Sequence, residues 1–163
     1  MQAIKINEKW KEWLKAGGLS VAIIVVGFLV GMLAGASKGY TGLVRPPLTP
    51  PNWVFSVVWP VLYALMGVSL YLTLKEDSGL YKRSSLVLFF MQLFHNFLWP
   101  FTFFALENYL LSFIVLSANV ALTLALVMIN FKLNKASAIL LLPYLAWIIF
   151  AEYLNIMVFA YNL

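Results

Sequence analysis

Five apolar runs of 18 to 23 residues set the terms for this chain: Leu19 to Ala36, Trp53 to Leu74, Ser84 to Phe104, Leu110 to Phe131 and Ala138 to Ala160. Wound as a helix at about 1.5 Å per residue, a run of that length crosses the roughly 30 Å hydrocarbon core of a bilayer. In lipid only helices and closed barrels pair every backbone group, and these continuous runs lack the alternation of a barrel strand. With 63% hydrophobic and 10% charged residues in a chain of 163, there is more apolar surface than a soluble globule can hide. The expected fold class is therefore all-α: a polytopic membrane protein whose residues 1–163 form one five-helix transmembrane domain. Cysteine is absent, which removes disulfides, thiolate metal sites and a cysteine nucleophile.

Charge between the runs gives an orientation. Residues 1–18 carry Lys5, Lys9, Lys11 and Lys15 around an apolar face of Ile6, Trp10, Trp13 and Leu14, the pattern of a short interfacial helix. Ala34-Gly35-Ala36 resembles a signal cleavage site, but the 18-residue run before it exceeds the roughly 7 to 15 residues of a signal core and reads as a span. Nine Lys and Arg fall in the N-terminal segment and the second and fourth connections; Lys38 and Arg45, in the first connection, are the two on the other side. This bias predicts a cytoplasmic N-terminus and an external first loop, and it accounts for the net charge of +5 without a nucleic-acid partner.

That first loop, residues 37–52, holds two Pro-Pro pairs, Pro46-Pro47 and Pro50-Pro51, which fix φ and remove backbone donors. It leads directly into Trp53, Trp59 and Tyr63, flat rings suited to a flat apolar ligand. At 100° per residue, Trp59, Tyr63, Met66 and Leu70 share one face of the second span. Gln92, Asn96, Trp99 and Phe103 share one in the third, and Tyr144, Trp147, Ala151 and Asn155 one in the fifth. Amides are costly in hydrocarbon, so these faces turn inward; they serve either interhelical hydrogen bonding with aromatic packing or a ligand cavity.

Other features are less directed. His95 lies about 60° off the Gln92 and Asn96 stripe with no second histidine, which favours a structural or surface role over haem ligation. Glu152 is the one carboxylate well inside a span; it either marks a functional polar site or pairs with a polar neighbour on another helix. Gly27, Gly31 and Gly35, four apart, suit a close helix approach within the bundle or in a dimer. No phosphate loop, hydrolase elbow or zinc-protease motif is present, and no metal site is expected.

Three ordered motifs resemble the translocator protein family, the TspO/MBR group of peripheral-type benzodiazepine receptors and tryptophan-rich sensory proteins. Tyr40, Arg45-Pro46 and Pro50-Pro51 precede Val54-Phe55-Ser56-Val57-Val58-Trp59-Pro60-Val61-Leu62-Tyr63. Gln92, Leu93, Asn96, Trp99, Pro100, Phe103 and Phe104 match a second motif; Pro143, Tyr144, Trp147, Phe150, Ala151, Leu154 and Asn155 match a third. The resemblance implies a homodimeric five-helix bundle with no obligatory cofactor. Its ligands would be protoporphyrin IX, haem, and isoquinoline or benzodiazepine drugs, held under a lid formed by the first loop.

Family contacts carry over to Tyr40, Trp59, Asn96, Trp147 and Ala151, and Trp59 and Trp147 occupy the positions linked to light- and oxygen-dependent porphyrin breakdown. To these the stripes and the loop add Arg45, Pro46, Pro51, Tyr63, Gln92, Trp99, Tyr144 and Asn155 as candidate ligand contacts, with Arg45 or Lys38 partnering propionates. The expected cavity lies between the second, third and fifth spans.

The chain departs from the family in three places. No Lys or Arg follows Lys135, so the animal sterol-recognition pattern is missing; Leu48 stands where Trp is frequent; and Glu152 replaces a small or hydroxylated residue. Besides a receptor, a tetrapyrrole or lipid transporter is a rival reading, although five spans without an inverted repeat argue against alternating access. Catalysis would be limited to photochemistry at Trp59 and Trp147, since no acid–base constellation is present.

Overall fold

The computed structural model describes residues 2–162, with side chains from Trp10 onward. Helix α1 runs Gln2–Leu33, α2 Asn52–Lys75, α3 Leu80–Pro100, α4 Tyr109–Leu133 and α5 Lys135–Tyr161, and no strand occurs among the described residues. A π-helical turn, Phe101–Ala105, extends α3. All five helices are long and apolar enough to cross a membrane.

The N-terminal segment differs from expectation, since it is continuous with the first span rather than a separate interfacial helix. Gly17 and Gly18 lower helix propensity by about 1 kcal/mol each, yet no proline breaks the hydrogen-bond ladder there. The base of this long helix is tied to α2: Glu12 accepts hydrogen bonds from Tyr71 Oη and Lys75 Nζ. Gly35, at φ 76°, supplies the left-handed turn that ends the first span's excursion and starts the loop.

Packing order departs from chain order. α1 packs on α2, α2 on α5, α5 on α4 and α4 on α3, whereas α3 touches α2 and α1 only sparsely. The short α2–α3 connection makes those two helices consecutive but not close-packed. They meet instead through side chains, Tyr63 Oη donating to Asn96 Oδ1 at 2.9 Å and the Tyr63 ring meeting Phe97 edge-on at 6.1 Å. α1 and α2 approach closely because Gly67 has no Cβ; a methyl there would lie 2.4 Å from Ser20 Cα. Ser20 Oγ confirms the crossing by donating to Ala64 O at 2.9 Å.

Three polar layers pin the remaining helices. At mid-height, Asn96 Nδ2 and Asn119 Nδ2 donate to the Tyr144 hydroxyl at 3.0 and 2.9 Å, which joins α3, α4 and α5. Toward the first loop, Trp99 Nε1 and Ser112 Oγ both donate to Asn155 Oδ1, at 2.8 and 2.9 Å. At the opposite end, Ser137 Oγ accepts from Asn130 Nδ2 at 2.9 Å and contacts Ser69 Oγ at 2.8 Å. Each pairing removes the cost of an amide or hydroxyl in an apolar interior.

Candidate functional site

The loop is ordered by a turn and by two anchors. Thr49 N–H donates to Pro46 O at 3.3 Å, with Pro47 and Leu48 at the central positions and Leu48 at φ 66°. That is a type II turn, in which proline suits the first central position and the second requires positive φ. The loop then reaches across the bundle end to α5: Val44 N–H donates to Asn162 Oδ1 at 2.8 Å, and Tyr153 Oη donates to Pro47 O at 3.3 Å. Tyr40 is driven into the protein beneath it, packing edge-on against Phe103 and tilted against Phe55, each at 6.0 Å between centroids. Burial pushes the Tyr40 phenol up to about 12, against the pull of the Arg45 cation.

Beneath the loop lies a cavity of about 650 Å³, within the range of small-molecule sites. Trp59 and Tyr63 from α2, Asn96, Trp99 and Phe104 from the α3 region, and Tyr40 from the loop give it aromatic walls around the Asn96 amide, and Asn52 adds a second amide at the start of α2. Gly27 is part of the wall for a steric reason, since a methyl there would fall 2.3 Å from Tyr63 Cε2. Asn96 is oriented from both ends, its Oδ1 held by Tyr63 and its Nδ2 by Tyr144. One lone pair and one N–H remain for a ligand.

Five of the sequence-derived candidates are thus brought together: Tyr40, Trp59, Tyr63, Asn96 and Trp99. The fifth helix contributes none of the lining, and α1 takes its place. Tyr144 and Asn155 are consumed by the polar layers described above. Trp147 stands behind Phe55, edge-on at 5.7 Å, with its indole N–H buried and unpartnered. Ala151 is buried on the same helix, and Gln92 is fully buried with neither amide atom partnered. Of the loop candidates, Arg45 and Pro51 are exposed and Pro46 is buried, and none lines the cavity.

Reading by stripes missed Phe55, Phe104 and the α1 wall of Ile24, Gly27, Phe28, Gly31 and Met32. The glycine ladder was the available signal for α1, because small residues let bulky rings of a neighbour settle against the helix. His95 Nδ1 lies 2.8 Å from Met91 O, one turn back on its own helix, as a structural histidine would. Glu152 pairs with Ser117 Oγ on α4 at 2.5 Å, which favours the interhelical reading of that carboxylate.

Fold and site together define a multi-pass helical membrane protein with an aromatic cavity under a proline-rich loop. Over residues 19–160 the sequence matches the TspO/MBR family, and the chain belongs to it. It is 37% identical over 153 residues to tryptophan-rich protein TspO of Archaeoglobus fulgidus, covering 91% of this chain and 97% of that one. To the translocator protein of Homo sapiens it is 34% identical over 158 residues, covering 92% and 91% respectively. The translocator protein of Ovis aries shares 34% over 147 residues, covering 88% and 87%.

Proposed function

We propose that this protein is a membrane receptor for tetrapyrroles such as protoporphyrin IX or haem, and that flat isoquinoline or benzodiazepine-type molecules can occupy the same cavity. The observation that carries the reading is the grouping of the Asn96 amide with Trp59, Tyr63, Trp99, Phe104 and Tyr40 around about 650 Å³. A flat conjugated ring gains offset or edge-on contacts of about 0.5–1.5 kcal/mol per aromatic neighbour beyond its buried area. Asn96 would then fix its rotation with the spare N–H or lone pair. Lys38, between the lining residues Ser37 and Gly39, and Arg45 further along the loop would supply the cations that pair with propionates at the loop end of the cavity. Trp147 would act as a second wall once Phe55 yields. A homodimer belongs to the proposal, with Gly27 already committed to Tyr63 within the chain.

Absorbance titration of the purified protein with protoporphyrin IX and haem tests this, with Trp59→Leu and Trp147→Leu compared. Trp59→Leu should weaken binding at least tenfold and Trp147→Leu by less; unaltered affinity in Trp59→Leu refutes the assignment. Running the titration in light and in dark separates binding from photochemical loss of the porphyrin, for which Trp59, unlike Trp147, lines the cavity.

A further inference from the structure

We infer that the cavity exchanges its ligand sideways with the bilayer through the seam between α1 and α3, and not through the loop. The inference rests on the proposed receptor function and adds the route and the class of ligand: a flat apolar molecule already dissolved in the membrane.

The walls of the cavity are unequal. The α1–α2 contact is close at Gly67 and at Gly27, and α4 and α5 contribute no lining. α1 and α3 barely pack on each other. On α1 the lining can be followed round the helix at 100° per residue. From Gly27, which faces Tyr63 of α2, it passes Gly31 and Ile24 to Phe28, then Met32, Val25 and Leu29. The far members of that series, Phe28, Met32, Val25 and Leu29, are 67%, 59%, 49% and 48% exposed.

The sweep goes in one direction only. Residues on the other flank of Gly27, such as Ile23 and Val30, do not line the cavity. The cavity therefore opens onto the outer face of α1 on the side away from the α2 contact. Pro100 and Phe104 of the α3 region form the opposing edge. All of these rim side chains are apolar, and they lie within helices that span the membrane, so the opening faces hydrocarbon.

The end of the bundle is closed by comparison. Val44 exchanges two hydrogen bonds with Asn162, at 2.8 and 3.2 Å, and Tyr153 holds Pro47. Tyr40 plugs the space below. Passage through the loop would break these contacts, whereas the seam at Phe28, Met32 and Phe104 is crossed by no hydrogen bond between α1 and the α3 region among the described residues. A tetrapyrrole or drug of this kind partitions into lipid, so its local concentration is highest where the seam opens.

The absence of native cysteine makes the test direct. In lipid nanodiscs, Met32→Cys with Phe104→Cys would be bridged by a short bis-methanethiosulfonate, and Val44→Cys with Asn162→Cys likewise across the loop. Association of protoporphyrin IX is followed by stopped-flow quenching of tryptophan fluorescence. Bridging the seam should slow association at least tenfold, with recovery after reduction by dithiothreitol; bridging the loop should alter it less than twofold. Slowing by the loop bridge alone overturns the inference, as does a spontaneous Met32→Cys homodimer, since a second copy would then cover the seam. Unchanged rates in both bridged forms also overturn it. Failure of the unmodified protein to bind any porphyrin refutes the receptor reading itself, and so is distinguishable.

Discussion

Replacing Tyr144 with Phe removes one oxygen from the centre of the bundle, and the structure sets what that should cost. Tyr144 is completely buried, and its hydroxyl accepts from Asn96 Nδ2 and Asn119 Nδ2. Tyr144→Phe keeps the ring and its packing but leaves two buried amide donors without an acceptor. Single interhelical hydrogen bonds in membrane bundles average about 0.6 kcal/mol and reach about 1.7. Two of them lost together give about 1–3 kcal/mol, a shift of roughly 5- to 150-fold in the folding equilibrium. Tyr161→Phe, at an exposed position at the end of α5, should cost under about 0.5 kcal/mol. Asn96 still receives the Tyr63 hydroxyl in the variant, so the cavity wall persists and protoporphyrin affinity should fall less than about threefold. Reversible unfolding in mixed micelles, read by near-ultraviolet circular dichroism, measures the difference. A Tyr144→Phe protein as stable as Tyr161→Phe would show that the central layer is not a cohesive element.

Gly67→Ala places a methyl against the Ser20 backbone, so α1 must leave α2, and a loss of about 3 kcal/mol is expected by the same unfolding assay. Leu48 sits at positive φ in the type II turn, so Leu48→Asn should stabilise the protein and Leu48→Val should destabilise it. Tyr40 has a folded-state pKa raised to about 12, so the stability it lends is complete below about pH 10 and is lost as pH rises from there through about 12. Alkaline unfolding curves should show this decline, and Tyr40→Phe should make it shallower.

The spans were legible because hydrocarbon thickness translates directly into run length, and the inward stripes because an amide in lipid must find a partner. Asn96, Tyr144 and Asn155 are buried and partnered, as the stripes required, whereas Gln92 is buried with neither amide atom partnered. Periodicity reports which way a residue faces but not which helix it meets. The stripe of α5 could not be known to be spent on α3 and α4, where Trp99 meets Asn155 and Asn96 meets Tyr144. The role of α1 was written more faintly still. Its cavity wall is marked by Gly27, whose meaning depends on Tyr63 of another helix. The continuous α1 escaped because an amphipathic basic segment and a following apolar run look the same whether or not a break separates them.

The central claim is that a flat aromatic ligand sits among α1, α2 and α3 under the first loop. Photolabelling with a diazirine-bearing isoquinoline, followed by peptide mapping, tests it most directly. The account predicts adducts within residues 24–32, 52–63 and 96–104, displaced by excess protoporphyrin IX. Adducts confined to residues 138–160 would place the ligand against α5 and contradict it.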